Sequence, residues 1–144
     1  MIYADVAVIG GGPAGMSAAI SAKKAGAQKV VLIERDERAG GILQQCIHNG
    51  FGLHKFKEEL TGPEYGERYE QMTFEEGVQL FTDTTVTDLS RDRIVTCINE
   101  TGCFKIKAEA VVLAMGCRER PRGALNLAVS YTHLRAHETE LHLV

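Results

Sequence analysis

The sequence lacks any apolar run approaching the roughly 18–20 residues that a membrane-spanning helix requires, which excludes such a span. It has no basic excess: 16 Lys+Arg stand against 19 Asp+Glu, a formal net charge of -3. That balance argues against a dedicated nucleic-acid binder, which normally carries a basic surplus or stripe. No CxxC is present, and Cys46, Cys97, Cys103 and Cys117 are too irregularly spaced for a zinc ribbon, so no metal site is read. Met1-Ile2-Tyr3-Ala4-Asp5 lacks the basic-then-apolar pattern of a signal peptide, and the cysteine usage points to free thiols in the reducing cytosol. A disulfide between Cys97 and Cys103 across a hairpin is the alternative. Tryptophan is absent, aromatics are few, and neither internal repeats nor low-complexity segments occur.

What is present is enough apolar character, 44%, for a packed core in a chain of 144 residues, about one domain's worth. Fifteen glycines exceed the usual share of roughly 7%, so their positions carry information.

Residues 3–9 form a short apolar run of the type seen in buried parallel strands. Gly10-Gly11-Gly12-Pro13-Ala14-Gly15 follows, then an Ala-rich segment with helical apolar spacing that Gly26 would cap. Residues 29–33 are a β-branched strand closed by Glu34-Arg35. The unit is β-α-β, with a right-handed crossover. Asp36 to Phe56 shows no clean period and reads as a loop. Thr61 or Gly62 caps a second helix, with Pro63 in its first turn, running to about Glu76 and ended by Gly77. Strand-like segments follow at 78–81, 84–89, 93–98 and 103–108, with a hairpin turn at Asn99–Gly102, and another at Ala110–Ala114.

The chemistry lies in Gly10-x-Gly12-x-x-Gly15. Such a pattern is weak alone, but here it follows a strand, opens a helix and precedes a strand ending in an acid. Gly10 permits the tight turn, Gly12 lets backbone approach a pyrophosphate, and Gly15 allows close helix–strand packing. The helix N-terminus then offers free N–H groups and partial positive charge to phosphates. Glu34, about 20 residues further on, can accept hydrogen bonds from an adenosine ribose and would repel a 2′-phosphate.

Gly10–Gly15, Glu34 and Gly40-Gly41 together resemble the fingerprint of FAD-binding domains in glutathione-reductase-like flavoproteins. Thr84-Thr85-Val86-Thr87-Asp88-Leu89 is similar to the strand whose backbone, at the Val86 position, contacts adenine in that family. Ala110-Val111-Val112-Leu113-Ala114-Met115-Gly116, with Arg118 and Pro121 beyond, is similar to its second motif, which passes close to FAD. The stretch Gly41–His54, with Leu60-Thr61-Gly62-Pro63-Glu64-Tyr65, narrows the resemblance to NAD(P)/FAD-dependent oxidoreductases near hydrogen cyanide synthase and the sarcosine oxidase α-subunit. It covers about residues 3–126. It implies an α/β fold: a Rossmann-like FAD/NAD(P)-binding βαβ domain with a parallel sheet and a β-meander, truncated at the C-terminus. It also implies a site for FAD at Gly10, Gly12, Pro13, Ala14, Gly15, Glu34, Arg35, Gly40, Gly41, Val86, Ala114 and Gly116. The implied partners are a small-molecule cofactor and substrate, with NAD(P)H serving the parent enzyme.

Two departures qualify the likeness. The family's close relatives carry Cys-x4-Cys after the Gly-Gly, whereas only Cys46 lies in that region here. Cys46 and His48 are candidates for a place near the flavin ring, with packing or hydrogen-bonding roles as the alternative. The second departure is at the end, where the family continues into an NAD(P)H-binding insertion and a Gly-Asp segment. The expected division is an FAD-binding segment over 1–127 and a non-native tail over 128–144 that resembles translated sequencing adapter. His133, His137 and His142 in that tail do not form an HExxH motif, since Leu141 occupies the required place. Two other readings stay open: a non-catalytic nucleotide-binding remnant, and a Rossmann domain holding NAD, against which Gly40-Gly41 and the meander argue.

Overall fold

A computed structural model of the chain describes residues 1–117. Arg118, Pro121, the segment 128–144 and its histidines lie outside the described residues.

The first unit forms as its sequence dictates. Strand β1 (Ile2–Ile9) leads through the glycine loop into helix α1 (Pro13–Lys24), which ends at Ala25 with Gly26 at φ +105°. Strand β2 (Val30–Ile33) then pairs parallel to β1, Val6 opposite Val30 and Ile9 opposite Ile33. All four β2 side chains are buried, because both faces of this sheet are covered.

The segment read as a loop contains a 3₁₀ turn at Gly41–Gln45 and a small antiparallel pair, β3 (Asn49–Phe51) with β4 (Leu60–Thr61). Helix α2 (Gly62–Glu75) starts at a complete capping box: Thr61 Oγ1 accepts the Glu64 N–H, and the Glu64 carboxylate accepts the Thr61 N–H. Phe51 packs at a tilt on Tyr65, and Phe56 meets Tyr65 and Tyr69 of α2 edge-on, tying the β3–β4 loop to the helix. Burial beside Tyr69 pushes the Tyr65 phenol up to about 12.

Strand β5 (Gln79–Phe81) joins β2 in parallel, and β6 (Thr85–Leu89), β7 (Ile94–Asn99) and β8 (Gly102–Leu113) follow as a meander. The sheet order is β5-β2-β1-β8-β7-β6. The two segments expected at 103–108 and 110–114 are one continuous strand. Its first half pairs antiparallel with β7, and residues from Ile106 onward pair parallel with β1. The polar Glu109 between them does not break the strand, because pleating requires neither a turn nor an apolar residue there.

Alternate residues of β1 and β2 enter two cores. Val8, Val30 and Leu32 pack under α1 and α2 with Met16, Ala19, Ile20 and Tyr69. Ala7, Ile9, Val31 and Ile33 pack on the opposite face with Val95, Cys97 and Ile106 of the meander. The result is helices, sheet and meander in three layers, with the glycine loop at the C-terminal end of β1.

Candidate functional site

Gly10 stands at the end of β1 with φ +107° and donates its N–H to Ile33 O at 2.8 Å. A side chain there would strike the Ala114 carbonyl, so β8 as well as β2 fixes this turn. Gly15 lies so close to Gly10 that a Cβ would collide with the Gly10 carbonyl oxygen, as expected of a helix pressed onto its strand. Gly12 differs: a Cβ there would meet nothing within 4 Å, so the backbone at Gly12 borders open space. The first intrahelical bond of α1 runs from Met16 N–H to Gly12 O. The N–H groups of Gly12, Ala14 and Gly15 therefore precede the helical ladder, and Pro13 has none to satisfy.

Glu34 is buried, 6% exposed, and its two carboxylate oxygens are both engaged. Oε2 accepts the Gly11 N–H at 2.7 Å, and Oε1 accepts the Asp36 N–H at 2.9 Å. The Glu34 backbone is stitched to the segment after β5: its N–H donates to Phe81 O, and its carbonyl accepts the Thr84 N–H. This places the start of the meander beside the acid that ends β2. Val86, two residues on, is partly buried against the meander-side core.

Gly40 and Gly41 form a second wall. Gly40, at φ +120°, donates its N–H to Gly11 O at 2.8 Å. A Cβ at Gly41 would lie 3.2 Å from Gly12 Cα. Ala114 donates its N–H to Ile9 O and packs against the same loop, while Gly116 (φ +68°) is exposed beyond it. Arg35 is exposed and ion-paired with Asp36 at 3.6 Å, so its side chain is not gathered to the glycine loop. Cys46 is half-buried, its thiol donating to Ile42 O at 3.4 Å. His48 is exposed, with Nδ1 3.1 Å from Asn49 O and its ring stacked on Phe51. Among the described residues no cluster of three or more His, Cys, Asp or Glu could hold a metal, and no helix is long and apolar enough to cross a membrane.

The alternative Cys97–Cys103 disulfide does not form. Cys97 lies opposite Phe104 and Cys103 opposite Ile98, so the two thiols occupy opposite faces of the hairpin, Cys97 buried and Cys103 exposed. Burial, with a smaller contribution from Cys103, pushes the Cys97 thiol up to about 11.

Sequence reasoning overlooked Gly11, whose N–H and carbonyl join Glu34 and Gly40; a Cβ there would lie 2.9 Å from Glu34 Cβ. The signal was available in the unbroken Gly10-Gly11-Gly12 run. It also treated Gly62 only as a cap, whereas that residue is in close contact with the Leu43–Cys46 backbone.

The family model for pyridine nucleotide-disulphide oxidoreductases matches residues 4–142. The chain belongs to this family. Its members are FAD-dependent oxidoreductases that work with NAD(P)H. The chain is 32% identical over 129 residues to an opine oxidase subunit from Rhizobium meliloti, covering 83% of this chain and 24% of the relative. It is 33% identical over 119 residues to a thioredoxin reductase of Peptoclostridium acidaminophilum, covering 83% and 36% respectively. The solved L-proline dehydrogenase of P. horikoshii superposes with a TM-score of 0.67 at 26% identity, over 80% of this chain and 23% of that one. The chain thus spans about a quarter to a third of the length of these relatives.

The residues present suit the family's cofactor. The N–H groups of Gly12, Ala14 and Gly15 precede the hydrogen-bonded ladder of α1, and the backbone at Gly12 borders open space, an arrangement that suits an anionic diphosphate at a helix N-terminus. Beside them, the carboxylate of Glu34 retains acceptor capacity on both oxygens after its two backbone bonds.

Proposed function

We propose that these residues are the FAD-binding segment of a flavin-dependent oxidoreductase whose parent passes hydride between NAD(P)H, or a small substrate, and the flavin. The observation that carries this is the junction of an open, donor-rich turn at Gly12 with a buried acid at the end of the next strand. Gly12, Ala14 and Gly15 offer their N–H groups to the pyrophosphate, supported by the helix dipole. Glu34 accepts from the ribose hydroxyls of the adenosine, and Arg35 and the Val86 backbone border that end. Gly41 and Gly116 line the rest of the adenosine side, with Gly40 and Ala114 beside them. The flavin supplies the redox chemistry when bound, and this segment supplies binding and orientation. Cys46 has no cysteine neighbour in its segment, so the reading assigns it no dithiol exchange.

The test is a flavin absorbance spectrum after adding FAD to the purified chain and removing the excess. Retained bands near roughly 370 and 450 nm, lost in Gly12→Val, support the reading. A folded, colourless protein that binds NAD in their place overturns it.

A second reading is a non-catalytic dinucleotide-binding remnant. It draws on the outer edge of Ala110–Leu113, which pairs with β1 on one side and with nothing among the described residues on the other. With Leu113 and Met115 exposed beside that edge, the remnant reading expects concentration-dependent self-association and weak flavin retention. Sedimentation velocity at rising concentration with flavin retention distinguishes the two: a stable monomer that retains one FAD per chain contradicts both expectations of the remnant reading.

A further inference from the structure

The 3₁₀ turn Gly41–Gln45 and Cys46 touch two parts of the molecule at once. On one side, Gly62, in the first turn of α2, donates its N–H to Cys46 O at 2.8 Å. The approach is tight: a Cβ at Gly62 would fall 2.6 Å from Cys46 O and 2.7 Å from Cys46 Cβ, and would strike the Leu43 carbonyl oxygen as well. One helical turn later Gly66 faces the same segment more loosely, its Cβ position 3.6 Å from Gly40 Cα and 3.8 Å from Leu43 Cβ. On the other side, Gly40 donates to Gly11 O, and Gly41 packs on Gly12 Cα. The seven residues Gly40–Cys46 thus connect the start of α2 to the open turn.

We propose that Gly62 is a positioning residue for the cofactor cradle, acting through Gly40–Cys46 on Gly11 and Gly12. The proposal rests on the reading of Gly10–Gly15 as the FAD pyrophosphate site. The contacts that a methyl group at Gly62 would meet are mainly carbonyl oxygens of another segment, which cannot rotate aside as a flexible side chain would. The Leu43–Cys46 backbone must retreat by about 1 Å to reach ordinary contact distance. Because the same short segment holds Gly40 against Gly11, a shift forced at Gly62 is carried to the phosphate side. A binding constellation loosened by more than roughly 0.5 Å loses much of its preorganisation. Thr61 serves the same anchorage from the cap, since its box with Glu64 fixes the turn that carries Gly62.

The pair Gly62→Ala and Gly66→Ala adds the same methyl group to the same helix face one turn apart. In the full chain, FAD affinity is read by quenching of flavin fluorescence, fold by far-UV circular dichroism, and the Gly40 amide by hydrogen exchange without cofactor. Expected are a loss of FAD affinity of about tenfold or more and faster Gly40 exchange in Gly62→Ala at retained helicity. Gly66→Ala should keep both values near wild type. Should Gly62→Ala not fold, Thr61→Ala, whose cap is partly exposed, carries the test with a smaller loss in the same two readouts. Equal FAD affinity in wild type and Gly62→Ala, or equal losses in the two glycine variants, overturns the proposal. A wild-type chain that binds no FAD overturns the site reading instead, and with it the cofactor role of Gly62. Gly40 exchange then still shows separately whether the mechanical link exists.

Discussion

The carboxylate of Glu34 reaches back from the end of β2 to accept the N–H of Gly11, at 2.7 Å, in the glycine loop that leaves β1. The same oxygen pair also fixes Asp36. The acid proposed as the ribose ligand is therefore also a strut that holds the loop's shape without any cofactor. This doubles the expected effect of removing it. Glu34→Ala strips two backbone amides of a charged acceptor, at about 1.5–3 kcal/mol per such bond before water relaxes into the gap. Thermal denaturation without FAD should show a clear fall in midpoint, and FAD titration a loss of binding. A variant with unchanged midpoint would leave Glu34 as a ligand only.

Gly12 should separate binding from folding. Its φ is -71°, ordinary for any residue, and a Cβ there touches nothing. Gly12→Ala is expected to cost no more than about 1 kcal/mol, chiefly through the poorer helix cap. FAD affinity should nevertheless fall sharply, because the methyl group enters the space facing the free N–H groups. Gly15→Ala should do the reverse of separating them: its methyl group meets the Gly10 carbonyl, and the chain should lose cooperative unfolding altogether. Parallel denaturant melts and flavin titrations of the two variants check this.

The cap of α2 makes a pH prediction. Hydrogen bonds from the Thr61 amide and hydroxyl hold the Glu64 carboxyl below its ordinary range, with a smaller contribution from Arg68. A carboxyl lowered in the folded state stabilises the fold above its unfolded value, near pH 4.3. That contribution disappears as pH falls through the folded value. Urea midpoints measured from pH 7 down to 3 should therefore fall less steeply in Glu64→Gln than in wild type. Parallel curves would show that the box is not formed in solution.

The thiols should differ in reactivity. With Cys97 buried and its thiol raised to about 11, a disulfide-exchange reagent at pH 8 should spare it in the folded chain while labelling Cys103. Mild oxidation should leave no Cys97–Cys103 bridge detectable by peptide mass mapping. Recovery of that bridge from folded protein would mean that the hairpin register differs by one residue.

How much of this was written in the sequence depends on how local its cause is. The first β-α-β unit, the cap at Thr61, the hairpin at Asn99–Gly102 and the Gly77 stop rest on backbone dihedrals and on the alternation of apolar side chains, both set by near neighbours. So does the motif of Gly10, Gly12 and Gly15, because their roles follow from one turn and one helix. The continuity of β8 was not legible, since nothing local tells a strand that its two halves serve different partners. The segment 36–56 had no period to read because its structure comes from contacts with α2 and the glycine loop rather than from a repeat of its own.

The sequence by itself determined the elements, the two-faced burial of β1 and β2, and the family to which the glycine pattern points, because these follow from local sterics and hydrophobic periodicity. Only the tertiary structure decided that Gly11 is held by Glu34, that Gly40 is held by Gly11, and that Gly62 presses on the segment between. Those contacts join residues far apart in the chain. Whether a glycine is needed at such a point depends on which backbone lies opposite it, and only the folded chain brings that backbone there.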